Sequence, residues 1–172
     1  EVRVMFQNMI KGWFRQQSVS YNDFIKALLE NDVDYMNEYM NEITKMMFSS
    51  FDVCNKPSDM IKPERFYHGF VLGLLVNLSK KYVLTSNRES GFVRYDVMLE
   101  PLDKNQNAYV IEFKVFKQNR DKTLEGAVQN ALKQIREKQY DTQLLARGVS
   151  KEKIFHYGFA FEGKTVLIGT DD

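Results

Sequence analysis

Apolar residues recur along this chain with two periods, and the change from one to the other divides it. Up to residue 52 the spacing is helical. Met5, Met9, Ile10, Trp13 and Phe14 follow one another at helical steps. Ser20 with Asp23 resembles a capping box that opens a helix through Leu29, and a third helix is expected over residues 34–48. Residues 55–62 (NKPSDMIK) break the pattern at Pro57 and Ser58, and Pro63 suits the first position of a new helix running to about Ser79. At about 100° per residue, Glu64, His68, Val71, Leu75 and Leu78 fall on one stripe of that helix. An acid and a histidine therefore continue an apolar face.

The period then shortens to two. Residues 82–86 are mostly β-branched or aromatic, and residues 95–100 and 108–115 alternate. Tyr95, Val97 and Leu99 share one face, with Asp96 and Met98 opposite; Tyr109, Ile111, Phe113 and Val115 share a face, with Val110, Glu112 and Lys114 opposite. A polar turn over residues 101–107 joins the last two segments. A helix is expected from a Thr123 cap to about Gln139, with Leu124, Val128, Ala131 and Ile135 inward, Lys138 on the same stripe and Gln134 at its edge. Two strands, 154–161 and 165–168, then flank a Glu162-Gly163 turn as a hairpin. The order helix, three strands, helix, two strands predicts a mixed α/β fold, a central sheet with helices on its faces. Residues 1–55 read as a helical extension and 56–172 as the α/β domain.

Composition narrows the class. With 172 residues, 44% of them apolar and 13% aromatic, the chain has material for one ordinary core and is not a disordered or low-complexity sequence. No apolar run approaches the roughly 18 residues of a membrane span. One cysteine, Cys54, excludes an intrachain disulfide framework and a multi-cysteine zinc site. No signal peptide opens the chain, and the expectation is a soluble cytoplasmic protein. The first residue is Glu1 rather than Met, which raises the expectation of a piece cut from a longer polypeptide. Residues 1–60 carry 6 basic against 9 acidic side chains, and residues 61–172 carry 18 against 14. The basic excess in the second part suits a polyanionic partner. The methionine-rich segment (Met36, Met40, Met46, Met47) suits packing or an interface between copies. No G-x-x-x-x-G-K-[ST] loop occurs, so the chain carries no P-loop of its own.

The chemistry concentrates in Asp96, Glu112 and Lys114. Glu112 and Lys114, two apart on a strand, leave the same face, and Asp96 comes from the neighbouring strand on a face that can match. Two carboxylates brought together repel unless a cation sits between them, and hard divalent ions such as Mg²⁺ or Mn²⁺ favour such oxygens. An ion there polarises a phosphoryl oxygen and acidifies a bound water, while a lysine steadies developing charge. Glu64 offers a third carboxylate, and Gln134 and Lys138 approach from the following helix.

The series Glu64, Asp96, Glu112-Phe113-Lys114 and Gln134 resembles the PD-(D/E)xK nuclease superfamily. So do the segments FYHGFVLGLL at 66–75, SNRESGFVRYD at 86–96, IEFK at 111–114, ALKQIREKQY at 131–140 and YGFAFEGK at 157–164. They are similar to one branch in which the nuclease-like domain is the C-terminal part of a larger bacterial or archaeal protein with an AAA-type ATPase-like domain upstream. The resemblance covers essentially the whole chain. It implies a restriction-endonuclease-like core of order α-β-β-β-α-β, with residues 1–55 joining it to the upstream partner domain. It also implies metal ligation by Asp96, Glu112 and the Phe113 carbonyl with help from Glu64, a catalytic Lys114, and Gln134 organising the site. The activity implied is Mg²⁺- or Mn²⁺-dependent hydrolysis of phosphodiester bonds in nucleic acid, DNA first among them. Arg88, Arg94, Lys117, Lys138 and His68 are the candidate nucleic-acid contacts. The sequence departs from the pattern twice: Lys138 stands where RecB-like members have a tyrosine, with Tyr140 two residues on, and Val93 stands where glycine is expected. The competing readings are a nuclease-like binding or regulatory module without turnover and an oligomerisation module.

Overall fold

The computed structural model of the chain describes residues 21–51, 63–86, 89–90, 93–94 and 96–171. The expected first helix, the Ser20 cap, the 55–62 break, Arg88 and Tyr95 lie wholly or partly outside them. The described elements run α1 (Tyr21–Glu30), α2 (Val33–Phe51), α3 (Pro63–Leu75), a 3-10 turn (Val76–Lys80), β1 (Tyr82–Ser86), β2 (Glu89–Ser90), β3 (Val93–Arg94), β4 (Val97–Pro101) and β5 (Ala108–Val115). They continue with α4 (Gln118–Asp121), α5 (Leu124–Glu137), α6 (Asp141–Ala146), a 3-10 turn (Lys151–Lys153), β6 (Ile154–Glu162) and β7 (Thr165–Thr170).

Five strands form one mixed sheet in the order β1-β4-β5-β6-β7, and β2 and β3 form a separate two-stranded ribbon. Only the β5–β6 pair of the five-stranded sheet is parallel; it is the pair joined through a helix, as a parallel crossover requires. Alternation along the strands sorts the core into two layers. Val97, Leu99, Tyr109, Ile111, Phe113, Tyr157, Phe159 and Phe161 pack with α1, α2 and α3. Met98, Val110 and Ala160 pack under α5, against Val128, Leu132 and Ile135. Met36 and Met40 are fully buried in the first layer, so these two methionines are core.

The chain keeps α5 close to the sheet. A Cβ at Gly158 would lie 2.8 Å from the Val128 carbonyl oxygen, so only glycine lets the helix cross β6 at this height. Thr123 opens α5 by accepting the Gly126 N–H at its hydroxyl, 3.0 Å away. At the far edge, α2 lies along β7 and bonds to it directly. The Asn37 and Asn41 side chains exchange hydrogen bonds with the Ile168 and Val166 backbone, and Thr44 Oγ1 donates to the Lys164 carbonyl.

Three expectations shift. The strand expected from Tyr95 is described from Val97 on, and just before it the Asp96 carboxylate accepts the Phe113 N–H. The α5 helix stops at Glu137, so Lys138 is a solvent-exposed cap residue and not part of the inner stripe. Two short helices, α4 and α6, add to the expected elements; with 4 and 6 residues they are too brief to show a period in the sequence.

Candidate active site

Asp96, Glu112, Lys114 and Gln134 meet on the α5 face of the sheet. Val97 pairs with Ile111 in antiparallel register, and one step further out stand Asp96 and Glu112. Asp96 Oδ2 accepts the Phe113 N–H at 2.8 Å. In an extended strand a residue's N–H and C=O leave the same edge, so the Phe113 carbonyl also faces the Asp96 side. Lys114 Nζ donates to Glu112 Oε1 at 2.9 Å and to Gln134 Oε1 at 2.6 Å. Gln134 Nε2 closes the triangle by donating to Glu112 Oε1. The amide therefore reads both members of the ion pair, its oxygen toward the ammonium and its nitrogen toward the carboxylate.

Glu112 is 3% exposed, and its Oε1 has two donors while its Oε2 is buried without a hydrogen-bond partner. A buried carboxylate oxygen with no donor is costly unless something else is meant to meet it. Burial pushes the Glu112 carboxyl up to about 7 and the Asp96 charge beside it pushes the same way, while Lys114 and the Asp96 backbone N–H offset only part of the rise. A hard cation is the group that such an arrangement fits: an unsatisfied carboxylate oxygen with a second carboxylate beside it. Among the described residues no three His, Cys, Asp or Glu side chains cluster closely enough to hold an ion by themselves, so water and backbone oxygen would complete its shell.

Tyr140 joins the site from an unexpected direction. The α5 helix ends, Gln139 takes a left-handed conformation (φ 51°), and the chain folds back so that the Tyr140 hydroxyl accepts from Gln134 Nε2 at 3.2 Å. Tyr140 is buried in the second core layer. Its position two residues past the helical repeat is absorbed by that turn. No residue type announces the turn, since glutamine seldom adopts positive φ.

The remaining candidates fall into three groups. His68 stands on the opposite face of the sheet, its ring 5.3 Å from that of Phe113 and its Nε2 2.8 Å from Ser86 Oγ. Lys117 and Lys138 are exposed near the ends of β5 and α5. Glu64 lies in the first turn of α3 and Arg94 in β3, while their side chains, like all of Arg88, are outside the described residues. Arg120, just after β5, is engaged within the protein: it pairs with Asp121 and donates to the Val115 carbonyl. Asp121, held by Arg120, the Lys117 N–H and Asn130, has its carboxyl lowered to about 2. Away from the site, His156 is gripped between Asp141 (2.7 Å) and Asp171 (2.9 Å).

A sequence-family model described as the PD-(D/E)XK nuclease superfamily matches residues 62–171, well over half the chain. The protein belongs to that superfamily, and the mixed sheet with helices on both faces is its restriction-endonuclease-like fold. Members are typically nucleases that use divalent metals. No curated protein and no solved structure matches the chain at a significant level.

Proposed function

We propose that this chain is a divalent-metal-dependent nuclease domain that hydrolyses phosphodiester bonds in nucleic acid, with DNA as the first substrate to test. The observation that carries the reading is the buried, unpartnered Glu112 Oε2 beside Asp96, on the face where Lys114 and Gln134 converge. Asp96, Glu112 and the Phe113 carbonyl would hold Mg²⁺ or Mn²⁺, with Glu64 assisting from α3. A bound ion supplies charge neutralisation at the scissile phosphate and a more acidic water. Lys114 would orient the attacking water and steady negative charge as it develops on phosphate oxygens. Gln134, bonded to both Lys114 and Glu112, would hold their relative geometry. Lys117, Lys138, Arg88 and Arg94 are the proposed contacts to backbone phosphates, with His68 nearer the opposite face.

The same reading places residues 56–172 as the nuclease-like part and residues 1–55 as a helical extension toward an upstream AAA-type ATPase-like domain. Its support is the resemblance of the segments at 66–75, 86–96, 111–114, 131–140 and 157–164. The test is cleavage of labelled plasmid and single-stranded DNA with Mg²⁺ or Mn²⁺, wild type beside Glu112→Ala and Lys114→Ala, with chelator as a blank. Metal-dependent cleavage falling about 100-fold or more in both variants is expected. Absence of cleavage, together with no metal binding by calorimetry, would transfer the reading to a binding module without turnover.

A further inference from the structure

We infer that α2 serves as a surrogate sixth strand whose asparagines occupy the outer edge of β7 and prevent that edge from pairing with a second copy of the chain. Asn37 Oδ1 accepts the Ile168 N–H at 2.7 Å, and Asn37 Nδ2 donates to the Ile168 carbonyl at 2.9 Å. Asn41 repeats the pair with Val166, at 3.0 Å and 2.7 Å. The second hydrogen of each amide goes to the helix itself, to the Val33 carbonyl from Asn37 (3.0 Å) and to the Asn37 carbonyl from Asn41 (2.8 Å). Each side chain thus presents one donor and one acceptor to the strand, as a neighbouring strand residue would. The repeat lengths agree: four helical residues rise about 6 Å, and two strand residues span about 6.6–6.8 Å. Thr44 extends the row to the Lys164 carbonyl at 2.7 Å.

The edge needs such a guard. The β7 sequence TVLIGT has no charge and no proline, the two features that ordinarily discourage edge-to-edge pairing. Its outward N–H and C=O groups at Val166 and Ile168 would suit an antiparallel copy of the same edge across a two-fold axis. The guard also lies outside residues 62–171, so the segment matching the family is closed by residues that precede it.

The experiment uses the full chain with Asn37→Ala, Asn41→Ala and the double variant, read by residue-resolved amide exchange and by sedimentation across concentration. Alanine favours helix more than asparagine does, so α2 itself is not weakened by the change. Asn37→Ala is expected to speed exchange of the Ile168 amide, and Asn41→Ala that of Val166, each by about tenfold or more, with the β5–β6 amides unchanged. The double variant is expected to form larger species than wild type as concentration rises. The single variants carry the test of the guard should the double variant fail to fold. Protection at Val166 and Ile168 that survives the single variants overturns the guard. A folded double variant that sediments as wild type does overturns the pairing with a second copy.

Discussion

The two faces of β5 differ in what they do with the same backbone. Tyr109, Ile111 and Phe113 leave one face into an aromatic layer, where Phe113 meets Phe159 edge-on at 5.5 Å and Phe161 at 5.9 Å. Val110, Glu112 and Lys114 leave the other, where a carboxylate is buried with one oxygen unsatisfied. The first face gains from every group it removes from water. The second gives up stability to hold charge out of solvent, and such local deficits mark functional positions rather than packing ones.

Substitutions on the two faces should therefore have opposite signs. Phe113→Ala empties a site in the aromatic layer and should cost about 3–5 kcal/mol in denaturant unfolding. Glu112→Gln should stabilise. With the folded carboxyl at about 7 against an ordinary 4.5, ionisation counts against the fold as pH rises through that window. The penalty is absent below about 4.5 and complete above about 7. Removing it should gain about 2 kcal/mol at pH 8, less than the full shift implies because Lys114 loses its counter-charge, and almost nothing at pH 4.5. Equal unfolding midpoints for wild type and Glu112→Gln at pH 8 would erase the contrast between the faces.

The His156 clasp sharpens the comparison because its charge is matched. Burial alone would lower this imidazole, but hydrogen bonds and charge from Asp141 and Asp171 outweigh it and hold the group above its ordinary 6.5. Its contribution is fully present below about 6.5 and fades as pH rises through the folded value. His156→Gln should thus cost about 1–2 kcal/mol at pH 5.5 and clearly less at pH 9, read from paired thermal melts. Tyr140→Phe is the smallest change. Losing the hydroxyl that accepts from Gln134 should cost about 0.5–1 kcal/mol and slow cleavage less than Lys114→Ala does.

Much of this was legible in the residues because periodicity reports burial. The strands at 82–86 and 108–115 have the expected bounds, the hairpin turns at Gly163 (φ 57°), and Thr123 caps its helix. Face assignments on β4 and β5 also hold: Val97 and Leu99 lie with Ile111, and Met98 with Val110. Hence the meeting of Asp96, Glu112 and Lys114 on one face followed from alternation. What was not legible depends on tertiary contact. Asn37 and Asn41, one turn apart on a helix, look like an ordinary polar face, and only the register of β7 gives them their partners. Tyr140 reaches Gln134 through a backbone turn at Gln139 that carries no compositional sign.

The central claim is that Asp96 and Glu112 form a cation cradle. Calorimetric titration of Mn²⁺ into wild type and Glu112→Gln at pH 7.5, with folding of both checked by circular dichroism, tests it most directly. Saturable binding in wild type that disappears in the folded variant is predicted. Wild type that binds no Mn²⁺, or a variant that binds it as wild type does, would contradict the account.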